Sequence, residues 1–405
     1  MLQRDEDTVT AVQHIIDAAI TNPARRRRLY RRGVQIGAGL LRSQVVHRLP
    51  EPTPGGRKYA MNEALQDDFA LNQPLSGFAA EAIATLDPES PTHAMDVVSV
   101  IEATLDNPMA VLYAEQSYAR GEKIAAMKAD GYDYLDRMDA VEDVEWPQPL
   151  AEMLEALFEI FAPSHPWVSP DALAPKSVVR DMYERAMTFG EFCAFYKVQR
   201  SEGLVLRYLT DAYRALRQTV PESERTEELA DVISWLGEVV RSTDSSLIDE
   251  WEALTHPDAP GAASRPGTTT GEGPRPVHTF TSNTRAFRVA VRNAMFRRVI
   301  LAADDDFEAL AALEPTGSAM TSDVWEDALG DYWDEFDEID DGPDARSPAF
   351  FVVEESRRGR LWTVRQIIND PDGDHDWSIA ATVDLDECDE AGELVVPPPT
   401  FTRLY

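Results

Sequence analysis

The sequence predicts a mainly α-helical protein, with a winged helix plus a helical bundle, followed by a small α+β domain with an antiparallel sheet. Apolar residues recur at helical spacing through most of residues 63–255, without the strand–helix alternation of a parallel sheet. Residues 256–278 contain five prolines, four glycines and no aromatic residue, which predicts a flexible linker. Two further helical patterns and several strand-like segments then occupy residues 279–405.

Residues 1–62 have the pattern of a winged-helix-like domain. An apolar stripe at helical spacing covers residues 9–19, and Pro23 at a first helical position marks a second helix. Short segments on either side of a turn at 52–56 predict a pair of strands. The second helix carries six arginines, of which Arg25, Arg28 and Arg32 are candidate phosphate contacts. Contact with acidic neighbours or with a preceding domain is the alternative, and both remain open.

Residues 63–255 form a succession of predicted helices, with proline, serine or threonine near plausible starts. Three apolar groups at helical spacing are predicted to enter the core: Met95, Val98, Ile101 and Leu105; Met153, Leu157 and Ile160; Val232, Trp235, Leu236 and Val239. Cys193 lies in an apolar context and is also predicted to be buried. His165 has no nearby metal-ligand partner in the sequence and is interpreted as structural.

The stretch from residue 197 to 218 predicts a helix with one core-facing side. Ser201 is a plausible N-cap, because its hydroxyl can accept a hydrogen bond from an early backbone N–H. Four apolar residues then recur at helical spacing: Val205, Leu209, Ala212 and Leu216.

The opposite side of this helix is predicted to be basic. At about 100° per residue it collects Gly203, Arg207, Arg214 and Arg217, joined by Arg200 if the helix begins early. Guanidinium groups suit phosphate oxygens, and a glycine on the same face permits close approach of a strand. The residues therefore suggest a helix that lines a nucleic-acid groove. From the pattern alone, a solvated face on which Asp211 pairs with Arg207 and Arg214 is the favoured interpretation.

The C-terminal region begins with a predicted helix at 283–303 that carries five arginines. A second helical pattern at 321–339 runs into a cluster of seven acidic residues between 331 and 341. The two charge runs either compensate each other or solvate opposite faces. Predicted strands follow at Ala349–Glu354, Leu361–Ile368, Trp377–Leu385 and, as a fourth, Glu393–Val396.

Four aspartates alternate with other residues between Asp370 and Asp376, around Gly373. Carboxylates in this pattern could bind calcium, but the distal glutamate of an EF-hand loop is missing and a strand precedes the motif. Asp-Gly is also a common hairpin signal, and a turn is the favoured interpretation.

The net charge of −34 argues against a protein that coats nucleic acid generally. The charge is unevenly distributed: +6 in residues 1–60, −24 in 61–260 and −16 in 261–405.

Two cysteines argue against a disulfide framework. No apolar run approaches the length of a membrane span, and no signal-like segment begins the chain, so a cytoplasmic location without membrane contact is expected.

Several segments resemble the C-terminal region of a bacterial DEAD/DEAH-box helicase family. They are residues 65–71 (LQDDFAL), 94–103 (AMDVVSVIEA), 175–189 (PKSVVRDMYERAMTF) and 372–377 (DGDHDW). Residues 201–209 (SEGLVLRYL) and 216–218 (LRQ) are similar to the helical domain of Ski-type superfamily 2 helicases. The resemblance implies a winged helix and a ratchet-type bundle beside a nucleic-acid channel, with residues 203–218 as the counterpart of the ratchet helix.

The motifs of a helicase motor are absent from this sequence. It has no phosphate-binding loop and no DEAD or DExH box, so this chain alone is not expected to hydrolyse ATP. No cofactor is therefore expected in the chain, and ATP and Mg²⁺ would belong to a separate motor. The expected function is an accessory part of an ATP-dependent helicase, with single-stranded RNA or DNA and RecA-type motor domains as partners. A stand-alone protein-binding adaptor, or a ligand pocket in the α+β domain, are the alternatives.

Overall fold

The computed structural model describes residues 7–19, 23–42, 46–61, 75–165, 168–169, 172–243, 279–315, 317–356 and 359–404. In these ranges the protein is mainly helical, with a two-stranded and a four-stranded antiparallel sheet. The predicted fold class is thereby confirmed. The linker prediction at 256–278, and the predicted boundaries at residues 62 and 255, lie outside the described residues.

Two helices and a pair of strands form the N-terminal part. Helix α1 (Thr8–Ala19) packs on α2 (Pro23–Arg42), and β1 (Val46–Arg48) pairs antiparallel with β2 (Tyr59–Met61). Pro23 opens α2, where the N–H that proline lacks would have no intrahelical acceptor. The predicted order of helices and strands is confirmed here.

The bundle is built from successive helices around one continuous apolar core. Its described helices are α3 (Ser76–Ile83), α4 (His93–Ala103), α5 (Met109–Ala129), α6 (Tyr134–Ala140), α7 (Ala151–Phe161), α8 (Val178–Glu184), α9 (Phe189–Phe195), α10 (Glu202–Thr219) and α11 (Glu227–Thr243). Cys193 is buried in this core, as predicted. His165 stacks on Phe161 with ring centroids 3.6 Å apart, in keeping with a structural role.

The predicted core positions of α4 and α11 are confirmed, with only Val239 half-buried. The prediction for α7 is wrong at Ile160, whose exposed fraction is 77 %. This helix instead buries Leu154, Phe158 and Phe161. The ring of Phe78 on α3 lies 5.5 Å from the rings of both phenylalanines. Because aromatic side chains bury the largest apolar area, these contacts set the rotation of α7.

Helices α10 and α11 approach so closely at one point that only glycine fits. A Cβ atom placed on Gly237 would lie 2.7 Å from the ring of Tyr213. Both residues are buried, and the tyrosine ring fills the space that a side chain at position 237 would need.

The C-terminal part continues the helical succession and ends in the larger sheet. Its described elements are α12 (Thr284–Ala303), α13 (Phe307–Ala312), α14 (Ser322–Trp333), β3 (Phe351–Glu355), β4 (Leu361–Ile367), β5 (Trp377–Asp384), α15 (Leu385–Ala391) and β6 (Thr400–Arg403). The strands are ordered β3-β4-β5-β6, and each neighbouring pair is antiparallel.

Two predicted elements of this part differ from the structure. The fourth strand is Thr400–Arg403 rather than 393–396. In the segment 393–396, the Val395 N–H donates to the sulfur of Cys388 (3.4 Å) and not to a neighbouring strand. Helix α14 ends at Trp333 rather than 339, because the chain folds back and the Tyr332 hydroxyl donates to the Glu338 carbonyl (2.7 Å). Helix α15, which the sequence did not predict, is capped by the Asp384 carboxylate.

The aspartate-rich segment between β4 and β5 is a turn. The Asp370 carboxylate accepts from the backbone N–H groups of Asp374 (3.0 Å) and His375 (2.6 Å). Gly373 has φ +74, a conformation that glycine adopts without strain. The favoured turn interpretation is therefore confirmed.

The arginines of α12 and a buried arginine after α14 join the bundle to the C-terminal part. Arg292 donates to the Tyr183 hydroxyl (2.7 Å). Arg346 lies over the ring of Tyr183 (4.0 Å) and donates to the carbonyl of Glu184 and to the side chain of Asn293 (2.8 Å each). These contacts cross between α8 and residues C-terminal to the predicted linker.

The other arginines of α12 test the two sequence interpretations of the charge runs. Arg285 pairs with Asp231 (2.5 Å) and Arg298 with Glu314 (3.0 Å), and neither acid belongs to the cluster at 331–341. The two charge runs therefore do not compensate each other there. Of the five arginines, Arg288 is solvated, as one alternative expected.

Replacing Gly237 by alanine is expected to destabilise the protein by about 1–3 kcal/mol, because the methyl group would displace the Tyr213 ring. Gly121→Ala is the matched control, since Gly121 is exposed within α5 and a Cβ atom there meets nothing within 4 Å. This control should stabilise the protein by roughly 0.5–1 kcal/mol through helix propensity. Urea unfolding measures both changes, and a Gly237→Ala protein as stable as the control variant would contradict the close packing.

Candidate nucleic-acid interface

Helix α10 is entered through a tight turn. Lys197 has φ 57, and a short 3-10 turn at Gln199–Ser201 leads into the helix. Ser201 occupies the N-cap position as predicted, but its side chain makes no capping hydrogen bond. Its backbone N–H instead donates to the Val198 carbonyl (2.7 Å), which closes the preceding turn.

The predicted core side of α10 is confirmed. Val205, Leu209, Ala212 and Leu216 are all buried, in contact with the main core cluster. The helix packs on α3, α4 and α11, so its orientation is set from several directions.

The first half of the opposite side is open to solvent. Gly203 and Arg207 are exposed, and the side chain of Arg207 is 81 % exposed. The helix does not begin early enough to include Arg200, which is exposed but lies in the 3-10 turn at Gln199–Ser201. Its Nε atom lies 3.9 Å from the Asp211 carboxylate, a loose pair that contributes little between solvated groups. A Cβ atom at Gly203 would meet nothing within 4 Å.

The second half of this side is partly covered, which corrects the prediction of one continuous exposed row. Arg214 and Arg217 are half-buried, although they follow Arg207 at helical spacing. The Nη1 atom of Arg217 lies 3.2 Å from the Tyr213 hydroxyl, and its guanidinium lies 5.8 Å from that ring. Helix α11 packs on α10, and its Gly237 lies against the ring of Tyr213, the residue before Arg214.

Arg217 lines a cleft of about 330 Å³ that the sequence did not indicate. We call it the arginine cleft; its lining residues are Tyr213, Arg217, Arg225, Ala230, Ile233, Ser234, Arg241 and Asn283. Arg225 lies between α10 and α11, and Arg241 lies in the last turn of α11. Neither falls on the periodic pattern of α10, so helical spacing alone could not find them.

The arginines of α2 belong to a different group of packed elements from those of α10. Helix α2 packs on α1 and β1, whereas α10 packs on bundle helices. Arg28 is exposed, and the side chains of Arg25 and Arg32 lie outside the described residues. Arg26 pairs with Asp17 (3.4 Å), so one arginine of this helix contacts an acidic neighbour.

A buried glutamate holds α10 from its core side. Glu102 on α4 is fully buried and accepts from the Tyr208 hydroxyl of α10 (2.8 Å). It also accepts from the backbone N–H groups of Val179 (2.8 Å) and Arg180 (3.2 Å). Val179 and Arg180 are the second and third residues of α8, where backbone N–H groups have no acceptor within the helix. Glu102 therefore accepts the hydrogen bonds that the side chain of an N-cap residue would otherwise accept.

Lys176 lies in the same buried cluster. Its ammonium group donates to the carbonyls of Leu105 and Ala174, each at 2.8 Å. Burial raises the pKa of Glu102 to about 7 against the effect of its hydrogen bonds and of Lys176. Burial likewise lowers the pKa of Lys176 to about 8.

Glu115 differs from Glu102, because neither of its carboxylate oxygens has a hydrogen-bond partner in the structure. Its exposed fraction is 2 %. Burial raises its pKa to about 9, aided by the nearby charges of Asp181 and Glu102 and opposed by Arg185 and Lys176. At neutral pH the group is therefore a neutral carboxylic acid within the core.

A family model described as a domain of unknown function (DUF3516) matches residues 1–400. The chain belongs to the DUF3516 family. Comparison with curated proteins gives no match to this DUF3516 protein, and comparison with solved structures gives none either.

Within the described ranges no helix is both long and apolar enough to span a membrane. The described part also contains no group of three histidine, cysteine, aspartate or glutamate side chains placed to hold a metal ion.

Glu115→Gln is expected to stabilise the protein increasingly as the pH rises. Below about pH 4.5 the glutamate is protonated in both states, and the variant should match the wild type. Between about 4.5 and 9 the unfolded form releases a proton that the folded form keeps. The wild type then loses up to about 1.4 kcal/mol of stability per pH unit relative to the variant. Urea unfolding across this pH range measures the difference.

Glu102→Gln is the matched contrast, because the same substitution removes a needed acceptor. Only one oxygen then remains for three donors, so the variant should lose about 1–3 kcal/mol at neutral pH. If both variants shift the stability in the same direction at pH 8, the different roles assigned to the two glutamates are wrong.

Proposed function

We propose that this DUF3516 chain is the accessory C-terminal part of an ATP-dependent RNA or DNA helicase. In this role it lines the nucleic-acid channel and does not itself hydrolyse ATP. Its partners are a single strand and RecA-type motor domains, encoded in the same chain or supplied separately, and the motor brings the ATP and Mg²⁺. A cytoplasmic location goes with this proposal.

The exposed side of α10 is the observation that carries the proposal. Arg200, in the 3-10 turn before α10, and Arg207, in the helix itself, are both exposed to solvent, while the other side of α10 is fixed in the core. The chain rises by roughly 11 Å between these two residues. That length matches a short run of backbone phosphates. Gly203 lies between them with open space above it, so a strand can approach the helix backbone.

The strong acidity of the rest of the chain supports a narrow contact. With a net charge of −34, a polyanion is repelled from most of the surface and attracted only where cations gather. Contacts to phosphates position a strand without reading its bases, so no sequence preference is expected.

Exposed apolar side chains favour the adaptor alternative. Tyr132, Tyr134 and Leu135, at and just before the start of α6, are each more than half exposed. Three large apolar side chains so close in sequence are suited to protein contact. An adaptor would use this segment together with the acidic surface, and would not need the arginines of α10.

Arg200→Glu with Arg207→Glu is expected to weaken single-stranded RNA binding and to lower its salt dependence. Losing two phosphate contacts should reduce the slope of log affinity against log salt by about 1.4. Fluorescence anisotropy with a labelled oligonucleotide at several salt concentrations measures both effects. The thermal melt should barely change, because both side chains are exposed.

Lys123→Glu with Lys128→Glu is the matched control. It makes the same change in net charge at exposed positions of a different helix, α5. Equal loss of binding in the two double variants would show only a general charge effect and would exclude the α10 interface. Gly203→Ala adds a second check, because a methyl group should hinder the strand without disturbing the fold.

A further inference from the structure

The arginine cleft is a positively charged concavity in an acidic protein. Three arginines line it, and none of its described lining residues is acidic. The second cleft nearby, of about 450 Å³, is lined by three arginines as well, but also by Glu227, Glu228 and Asp231. Of these two clefts, only the arginine cleft combines several guanidinium groups with described lining residues that include no carboxylate.

The guanidinium groups of this cleft are held by the surrounding structure. The Tyr213 hydroxyl contacts Arg217, and its ring is wedged against Gly237. Arg225 donates to the Arg217 carbonyl (2.7 Å), and Arg241 pairs with Glu238 (3.3 Å). Side chains fixed in this way lose little further conformational freedom when a ligand binds.

Helix α12 adds to the positive potential of the cleft. Asn283, its N-cap, lines the cleft and accepts from the Ala286 N–H (3.2 Å). The 20-residue helix thus begins at the cleft wall, where the positive end of its dipole favours an anion.

We propose that the arginine cleft binds a phosphate group, carried either by a small phosphate compound or by a nucleic-acid strand. Planar guanidinium forks match phosphate oxygens in pairs, and several of them share the charge of a polyphosphate. The argument uses residues outside the exposed side of α10, so it does not depend on the helicase proposal.

The test compares Arg225→Glu with Arg288→Glu in the full chain. Arg225 lines the arginine cleft, whereas Arg288 is an exposed arginine of the neighbouring cleft that contains carboxylates. Pyrophosphate binding is measured by isothermal titration calorimetry. A 5′-phosphorylated and a 5′-hydroxyl oligonucleotide are measured by fluorescence anisotropy, and circular dichroism checks the fold of each variant.

Arg225→Glu should weaken phosphate binding about tenfold or more, as expected for a lost charge-assisted contact, while Arg288→Glu stays within about twofold. If this loss is seen with pyrophosphate, the cleft takes a small phosphate compound. If it is seen only with the oligonucleotides, the strand supplies the phosphate, and a larger loss for the 5′-phosphorylated one places the strand end there. Equal behaviour of the two variants towards all three ligands would overturn the proposal, whatever the outcome for Arg200 and Arg207.

Discussion

The carboxylate of Glu102 is the contact on which the geometry of the bundle depends. A buried carboxylate is costly unless its oxygens are satisfied, and here three donors from two other helices satisfy them. The arrangement joins α4, the start of α8 and the middle of α10. Because Tyr208 must point at Glu102, the rotation of α10 is fixed, and Arg207, the preceding residue, is turned towards solvent.

Much of the fold could be predicted because it follows from local periodicity. The buried positions from Val205 to Leu216 can be predicted from the period of an α-helix alone. The start of α2 can be predicted from the preference of proline, here Pro23, for the first helical position. Ile160 could not be placed in the same way, because Phe78 from another helix decides how α7 is rotated. The fourth strand was misplaced for a similar reason, since pairing with β5 selects Thr400–Arg403.

The candidate site was predicted in part. Helical spacing identifies which residues share a side of α10, but not that Arg214 and Arg217 are half-buried. Arg225 and Arg241 join Arg217 only through the packing of separate elements. The two buried glutamates were equally hidden, because a carboxylate that enters the core looks in sequence like one that remains in water.

The contacts of Arg346 and Arg292 with α8 have a consequence for how the protein is assembled. The C-terminal part is attached to the bundle by buried, noncovalent contacts made by residues on both sides of the predicted linker. The covalent connection between positions 243 and 279 then mainly raises the effective concentration of one part near the other. A gene divided within that interval should therefore yield two polypeptides that recombine into the same structure.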